Sequence, residues 1–158
     1  RASDWSSDVC SSDLTKSVLF VCLGNICRSP ACEGICRSIT NGSIRVDSAG
    51  TCSFHVGQSP DSRSRRVCKE NGVDISQQRA RQIKKSDWNE FDVIAALDSS
   101  VYSDLKMMMP KNPKAKLVLF NAPKGIDDPY YGGVNGFQDM FNEIKGVMPT
   151  FLKENELI

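Results

Sequence analysis

A chain of 158 residues is long enough for one domain with a sizeable core. Its formal net charge of +1 excludes a strong overall field, so we expect neither nucleic acid nor a membrane surface as a partner. The seven cysteines are an odd number and do not fit a secreted disulfide framework in a chain of this size, so we expect a reducing, cytoplasmic location.

The first residues look different from the rest of the chain. Residues 1–15 are rich in serine and aspartate and show no hydrophobic periodicity. They have neither a cluster of basic residues nor an apolar core, so we do not expect them to form a secretory signal peptide. Residues 3–14 also look like the in-frame translation of a sequencing-library adaptor. We therefore expect residues 1–15 to be a disordered tail or a sequence artefact, and residues 16–158 to form the domain.

The first predicted unit is a strand, a compact loop and a helix. Residues 16–22 form a short apolar run that ends in Cys22 and is bounded by turn residues, as in a buried parallel strand. Gly24 and Asn25 tolerate positive φ, which lets a loop coil tightly. Pro30 suits the first turn of a helix, because its missing N–H would be unpaired there.

This unit has the features of a phosphate site with a nucleophile at its base. The N–H groups of a coiled loop can converge on an anion, and the helix N-terminus adds positive potential. Arg28 supplies a planar guanidinium that can hold two phosphate oxygens. Cys22 would lie at the base of this cup, which favours its thiolate, and Ser29 can donate a hydrogen bond to that thiolate. The predicted phosphate-binding residues are Leu23, Gly24, Asn25, Ile26, Cys27 and Arg28.

Four neighbouring cysteines also raise the possibility of a metal or iron–sulfur cluster, and they are Cys22, Cys27, Cys32 and Cys36. Their spacings are not those of zinc pairs, and Arg28 would place a cation within the site. We therefore expect no metal and no cofactor. Cys32 and Cys36 are better explained as small apolar residues of the first helix that face the sheet.

The rest of the chain alternates between predicted strands and helices. Strands are predicted at residues 44–49, 91–97 and 116–120, and helices at residues 60–71, 98–109 and 136–152. Ser59 is the predicted N-cap of the helix that starts at Pro60. This alternation predicts a doubly wound, open, four-stranded parallel sheet with helices on both faces. Asp98 follows the third strand, at the edge where such sheets place their sites, and can cap the next helix.

A second chemically informative stretch begins at Asp127. Pro129 favours extended geometry at Asp128, so the loop can hold a carboxyl group over the phosphate cup. A leaving phenolate or alkoxide benefits from a proton, which makes either aspartate a candidate general acid. Composition alone does not distinguish the two. Tyr130 and Tyr131 can form walls against an aromatic ring.

Both stretches resemble one enzyme family. Residues 22–30, Cys-Leu-Gly-Asn-Ile-Cys-Arg-Ser-Pro, are similar to the signature loop of the low-molecular-weight protein tyrosine phosphatases. Residues 128–132, Asp-Pro-Tyr-Tyr-Gly, are similar to the general-acid loop of that family. The resemblance runs from about Lys16 to the C-terminus. Cys-x5-Arg alone occurs in unrelated phosphatases, but the full loop followed by Asp-Pro-Tyr-Tyr is highly specific.

The resemblance implies a protein tyrosine phosphatase that acts on phosphotyrosine proteins and small aryl phosphates through a cysteinyl-phosphate intermediate and releases inorganic phosphate. It makes Cys22 the nucleophile, Arg28 the phosphate clamp and Asp128, rather than Asp127, the general acid and base. It also gives Asp98 a role in orienting Arg28. We expect the protein to be a monomer.

The resemblance also suggests roles around the cup. It places Phe54, with Tyr130 and Tyr131, against the substrate ring. It favours Cys27 as a resolving thiol that condenses with oxidised Cys22, although an inward-facing loop residue is the alternative. The family often carries a histidine after Ser76, and here Gln77 takes that place. His55, the only histidine, is expected at the cleft rim or in solvent.

Two other functions fit the same scaffold. Arsenate reductases of this type use further cysteines downstream of the loop as a redox relay. Here only Cys52 and Cys68 follow the first predicted helix, and they do not form a close pair in sequence. A non-catalytic phosphate-binding module is the other alternative. It would be expected to lack Cys22, Arg28 or Asp128, and all three residues are present.

Overall fold

Strands and helices alternate along the chain in the computed structural model, which describes residues 15–130 and 135–158. Of the segment expected to lie outside the fold, only Thr15 is among the described residues. In chain order the elements are β1 Ser17–Cys22, α1 Arg28–Thr40, β2 Arg45–Gly50, α2 Ser62–Glu70, α3 Asp87–Glu90, β3 Val93–Ala96, α4 Ser99–Met108, β4 Lys116–Leu119 and α5 Asn135–Glu154.

The sheet has the order β2-β1-β3-β4, and each neighbouring pair is parallel. β1 is central, with Val21 paired to Ala49 on one side and to Ala96 on the other. All six residues of β1 are buried, as expected for a strand covered on both faces. The predicted open, four-stranded parallel sheet is therefore confirmed.

Helices cover both faces of this sheet. Side chains alternate along a strand, so neighbouring residues of β1 join different cores. Phe20 belongs to the apolar cluster that contains residues of α1, α2 and α5. Leu19 and Val21 belong to the cluster that contains residues of α3 and α4. Cys32 and Cys36 are fully buried in the first cluster, which agrees with their interpretation as small core residues.

The start of α2 corrects one prediction. The sequence suggested Ser59 as the N-cap, but the helix begins at Ser62 and its N-cap is Asp61. The Asp61 carboxylate accepts a hydrogen bond from the Arg63 N–H at 2.9 Å, which satisfies one of the free donors of the first turn. Pro60 consequently lies before the cap instead of inside the helix.

The short helix α3 was not predicted. Its Trp88 is 1% exposed and packs in the α3 and α4 core. Among the described residues, no helix is both long and apolar enough to cross a membrane. The ends of β1 and β3 meet at the carboxyl edge of the sheet, which is where open α/β sheets bind ligands.

Candidate active site

The loop between β1 and α1 coils tightly over the end of the sheet; residues 22–28 are called the phosphate loop below. Asn25 has a φ of 60°, as expected from its tolerance of the left-handed region. Gly24 serves another purpose, because a Cβ atom there would lie 2.9 Å from Cδ2 of His55. The loop thus needs asparagine for its turn and glycine for close packing against the residue 55 side chain.

Cys22 lies at the base of the phosphate loop and is 2% exposed. Its Sγ atom is 3.1 Å from the hydroxyl oxygen of Ser29. The Asn25 N–H donates to the same sulfur at 3.3 Å. Two polar groups therefore reach the sulfur from the loop and from the first turn of α1, and both can donate to a thiolate.

Arg28 is held beside the cup by two hydrogen bonds from one guanidinium nitrogen. The side chain is 3% exposed, and Nη1 donates to Asp98 at 2.5 Å and to the Ile126 carbonyl at 3.1 Å. The second oxygen of Asp98 accepts the Val101 N–H at 2.7 Å, so this carboxylate also caps α4. The structure contains both contacts that the sequence suggested for Asp98.

The charge of Arg28 is secured by its surroundings. Burial alone would lower its pKa, but negative charge at Cys22 and the hydrogen bond to Asp98 outweigh burial and raise the pKa above its ordinary value. The guanidinium thus stays positive at any working pH. A permanent cation next to the sulfur suits both a thiolate and a phosphate dianion.

A network of hydrogen bonds around the Asn25 side chain holds the phosphate loop against the neighbouring elements. The Asn25 side chain donates to the hydroxyls of Ser29 at 2.7 Å and Ser48 at 3.0 Å. Its carbonyl oxygen accepts the Arg81 N–H at 3.0 Å. Ser48 in turn donates to Glu33 at 2.6 Å. This network ties the loop to β2, to α1 and to the segment that precedes α3.

Sequence reasoning missed Ser48, Glu33 and Arg81 as members of the site. A polar signal was present for Glu33, because it is the one charged residue among the small and apolar residues 31–36 of the first predicted helix. Gln77, which follows Ser76, is exposed, whereas the side-chain amide of the next residue, Gln78, donates to the Pro30 carbonyl of α1 at 3.1 Å.

Most of the predicted site residues surround one cavity of about 220 Å³, but Asn25, Ser29 and Asp98 do not line it. It is lined by Cys22, Leu23, Gly24, Ile26, Cys27, Arg28, Cys52, Phe54, His55, Asp128 and Tyr130. Phe54 is 82% exposed at its rim. Cys52 was not expected here, and His55 contributes to the rim as predicted. Tyr131, predicted as a substrate wall, lies outside the described residues.

The acid-bearing segment, residues 126–130, is called the acid loop below. Asp128 lines the cavity, and its Oδ2 lies 3.6 Å from Nη2 of Arg28. Its Oδ1 accepts the Tyr130 N–H at 3.0 Å. Asp127 does not line the cavity, and its charge acts on Lys124 instead. The geometry therefore distinguishes two aspartates that composition could not.

Cys27 shares the cavity but differs from Cys22 in its surroundings. It is 4% exposed, and burial, followed by the negative charge of Asp61, raises the pKa of its thiol far above the ordinary range. Burial likewise raises the pKa of Cys36 to about 12. The resolving role of Cys27 stays a prediction. Among the described residues, no group of three His, Cys, Asp or Glu side chains is arranged to hold a metal ion.

A larger groove, of about 800 Å³, lies along the edge strand β4 between α4 and α5. Its charged lining residues are Lys116 and Glu154, and none of the described cysteines lines it. It therefore does not combine a reactive thiol with a cation. The smaller cavity at the phosphate loop is lined by a cysteine nucleophile, an arginine and a carboxyl group, and is therefore the better candidate for the active site.

A buried thiol, a fixed arginine and a carboxyl group around one cavity define a cysteine-dependent phosphatase. Residues 17–157 match the family model described as low molecular weight phosphotyrosine protein phosphatase. The chain belongs to this family, as its sequence motifs suggested, and it is accordingly a hydrolase.

Relatives match over nearly their whole length. The chain is 41% identical over 152 residues to the low molecular weight phosphotyrosine protein phosphatase of Homo sapiens, covering 89% of this chain and 96% of the relative. A solution structure of the family member from Tritrichomonas foetus has 62% identity and a TM-score of 0.81, covering 91% of this chain and 98% of that chain. A crystal structure described as a drosophila arginine phosphatase has 32% identity and a TM-score of 0.80, covering 87% and 96%.

Proposed function

We propose that this protein hydrolyses phosphotyrosine in proteins, and small aryl phosphates, through a cysteinyl-phosphate intermediate. One observation carries the proposal: Cys22, Arg28 and Asp128 line the same cavity at the carboxyl edge of the sheet. The names of the relatives support it, because most of those similar over the full domain are phosphotyrosine phosphatases.

The first step transfers the phosphoryl group to sulfur. Arg28 and the N–H groups of the phosphate loop bind the phosphate dianion and stabilise its charge as the bond to the leaving oxygen breaks. The Cys22 thiolate attacks phosphorus in line, forming the S–P bond. Asp128, in its protonated form, gives its proton to the leaving oxygen, so that a neutral phenol departs.

The second step returns the enzyme to its starting state. Asp128, now a carboxylate, takes a proton from water, and the water oxygen attacks phosphorus. The S–P bond breaks and its electron pair stays on Cys22 as a thiolate. Ser29 stabilises this thiolate, because its hydroxyl lies 3.1 Å from the sulfur. Inorganic phosphate then leaves the cup.

The cavity walls favour an aromatic leaving group. Phe54 is exposed at the rim, and Tyr130 lines the cavity from the acid loop. Two aromatic side chains can contact the two faces of a phenyl ring, a contact worth about 0.5–1.5 kcal/mol beyond burial. Tyr131 remains a predicted third wall. This arrangement supports phosphotyrosine as the substrate class.

Three further expectations belong to this proposal. The protein acts as a monomer in the cytoplasm, where a reducing environment keeps a working thiolate available. Cys27 resolves oxidised Cys22 as an intramolecular disulfide that protects the nucleophile from over-oxidation. Phosphoproteins are its macromolecular substrates, and we expect no nucleic-acid or membrane partner. Size-exclusion chromatography tests the monomeric state. Peroxide treatment followed by mass spectrometry tests the disulfide between Cys22 and Cys27.

The decisive experiment measures hydrolysis of a chromogenic aryl phosphate in the presence of EDTA. The wild type is compared with Cys22→Ser and with Cys68→Ser, a matched control because Cys68 is buried but does not line the cavity. We expect turnover by the wild type and the control and none by Cys22→Ser. Circular dichroism verifies that all three are folded.

The other outcomes separate the alternatives. A folded wild type without aryl phosphatase activity would overturn the proposal, and arsenate reduction and phosphate binding would then be measured. Phosphorylated arginine is included as a second substrate, because one structural relative is described as an arginine phosphatase. Preference for phosphoarginine over phosphotyrosine would replace the substrate class and leave the cysteine mechanism intact.

A further inference from the structure

The first turn of α2 contacts the phosphate loop directly. The Asp61 N–H donates to the Ile26 carbonyl at 2.8 Å. The Ser64 hydroxyl donates to the Cys27 carbonyl at 3.0 Å, and this serine is fully buried. Two adjacent carbonyls of the phosphate loop are thus fixed by one helix turn.

The same turn also reaches the acid loop, through Arg63. Nη1 of Arg63 donates to the Tyr130 carbonyl at 3.2 Å. The guanidinium lies 5.3 Å from the centre of the Tyr130 ring and 4.6 Å from that of Phe137 at the start of α5. Arg63 therefore contacts both the backbone and the ring of the residue two positions after Asp128.

The orientation of Arg63 is fixed by a fork of two hydrogen bonds. Its Nε and Nη2 atoms donate to the two carboxylate oxygens of Asp61, each at 3.0 Å. Burial alone would raise the pKa of Asp61, but the hydrogen bonds from Arg63 outweigh burial and lower it. Only a planar guanidinium can hold a carboxylate in this way and still present a third N–H to a carbonyl.

Tyr130 also contacts the carboxyl group of Asp128. The Tyr130 N–H donates to Asp128 Oδ1 at 3.0 Å, so the residue whose carbonyl binds Arg63 also supports the orientation of this carboxyl group through its N–H. Asp128 is 36% exposed, and its other oxygen approaches Arg28 only to 3.6 Å. The Tyr130 backbone is consequently a main support of the Asp128 side chain.

We propose that Arg63 is a positioning residue for the general acid, joining the acid loop to the phosphate loop through Asp61 and holding Asp128 over Cys22. This inference rests on the proposed function, in which Asp128 protonates the leaving group. Arg63 does not line the cavity, so it acts through Tyr130 and not on the substrate.

The proposal predicts a dependence on the leaving group. A dinitrophenolate departs without a proton, whereas the phenolate from phenyl phosphate needs one. Misplacing a catalytic group by about 1 Å can cost up to about 10²-fold. We therefore expect Arg63→Ala to lower kcat/KM for phenyl phosphate by about 10–100-fold and for 2,4-dinitrophenyl phosphate by no more than about twofold. Because kcat/KM reports the first step only, slow hydrolysis of the intermediate does not hide the effect.

Two variants sharpen the test. Arg65→Ala is the matched control, because Arg65 lies on the same helix and donates to the Pro60 carbonyl instead of the acid loop. Arg65→Ala should leave kcat/KM unchanged for both phenyl phosphate and 2,4-dinitrophenyl phosphate. Arg63→Lys keeps the positive charge but cannot make both hydrogen bonds to the Asp61 carboxylate. We therefore expect kcat/KM of this variant to depend on the leaving group in the same way as that of Arg63→Ala. Arg63→Lys also keeps the test open if the alanine variant does not fold.

Combination with Asp128→Asn decides the mechanism. If Arg63 acts only through the acid, Arg63→Ala adds no further loss in the Asp128→Asn background. Equal losses on both substrates, additive losses in the double variant, or no loss at all would each overturn the positioning role.

The proposed function can fail separately from this inference. Asp128→Asn without a leaving-group dependence would show that Asp128 is not the acid. A clear dependence in Asp128→Asn together with none in Arg63→Ala would refute the positioning role alone.

Discussion

The phosphate loop and the acid loop meet in one cavity but are built differently. In the phosphate loop, Cys22, Asn25 and Arg28 are 2%, 2% and 3% exposed, and each is held by at least two hydrogen bonds. In the acid loop, the Asp128 side chain is 36% exposed and its backing comes from the Tyr130 N–H. The nucleophile and its supporting residues are thus buried in the core, whereas the general acid lies at the surface.

This difference separates two kinds of contribution. Buried, hydrogen-bonded groups are coupled to the stability of the fold, because removing one leaves its partners unsatisfied. A surface carboxyl group with one backbone contact is nearly independent of stability. Changes at Cys22, Asn25 or Arg28 should therefore alter folding and catalysis together, whereas changes at Asp128 should alter catalysis alone.

The largest effect is expected from Arg28→Ala. It removes the donors that face the substrate phosphate, each worth about 10²–10³-fold in rate, so kcat/KM should fall by about 10⁴-fold or more. It also leaves the half-buried Asp98 carboxylate beside the cup without its cation. The measurement is aryl phosphate hydrolysis together with chemical unfolding.

Arg45→Ala is a suitable control for this change, because it removes an arginine whose ion pair with Glu90 is largely exposed. We expect little effect on either measurement. If Arg28→Ala lost activity without any loss of stability, the description of the phosphate loop as part of the core would be wrong.

Asp128→Asn should give the next largest effect. Loss of the general acid should lower kcat/KM for phenyl phosphate by roughly 10²–10⁴-fold. The free energy of unfolding should stay within about 0.5 kcal/mol of the wild type, as for other surface substitutions. The same two measurements made on Asp127→Asn provide the control, because Asp127 is outside the cavity. A large loss in Asp127→Asn would reverse the assignment of the acid.

Asn25→Ala tests the support of the phosphate loop from behind. It removes three hydrogen bonds, each with a net value of about 0.5–1.5 kcal/mol, so we expect a loss of about 2–4 kcal/mol in unfolding free energy. Activity should fall by about tenfold, less than for the groups that contact the substrate.

Asn41→Ala separates hydrogen bonding from backbone conformation. Asn41 also has a positive φ, of 52°, but it is exposed at the end of α1. Replacing Asn41 by alanine should lower the free energy of unfolding by only about 1 kcal/mol, because alanine is less tolerant of positive φ than asparagine. Equal destabilisation of the two variants would mean that the φ of Asn25, and not its network, supports the loop.

Local signals explain what the sequence could predict. The apolar run before Cys22, the tolerance of Asn25 for positive φ and the proline at the start of α1 are properties of consecutive residues. They were sufficient to predict the strand, the loop and the helix. The choice of N-cap for α2 failed, because Ser59 and Asp61 are both suitable types and only the folded chain shows which one reaches the helix N–H groups.

Distant contacts explain what the sequence could not predict. The Arg81 N–H that holds Asn25 is 56 residues away in the chain. Arg63 and Tyr130 are separated by 67 residues. Such pairs depend on how loops pack at the sheet edge, and they leave no periodicity that a sequence pattern could show. Composition alone could not separate Asp127 from Asp128 for the same reason, since packing directs only Asp128 into the cavity, and it was the resemblance of residues 128–132 to a known loop that favoured Asp128.

The smallest expected effect concerns Glu33, the outer end of the network behind the phosphate loop. Glu33 is 6% exposed and is bound by Ser48 and by Arg37 at 2.8 Å. Burial raises its pKa above the ordinary value of 4.5, against the opposing effects of Ser48 and Arg37. At pH values between the unfolded-state and folded-state pKa, the folded protein therefore keeps a proton that the unfolded chain has released.

A raised pKa of this kind favours the folded state below the ordinary pKa, and this contribution is lost as pH rises through the folded-state pKa. Glu33→Gln cannot titrate, so the unfolding free energy of the variant minus that of the wild type should increase as pH rises above 4.5. Unfolding in urea at several pH values measures this slope, and Glu70→Gln, at the exposed end of α2, is the control and should show no such slope. A flat difference for Glu33→Gln would mean that its buried carboxyl group does not couple protonation to folding, and the stability of the phosphate loop would then rest on neutral hydrogen bonds alone.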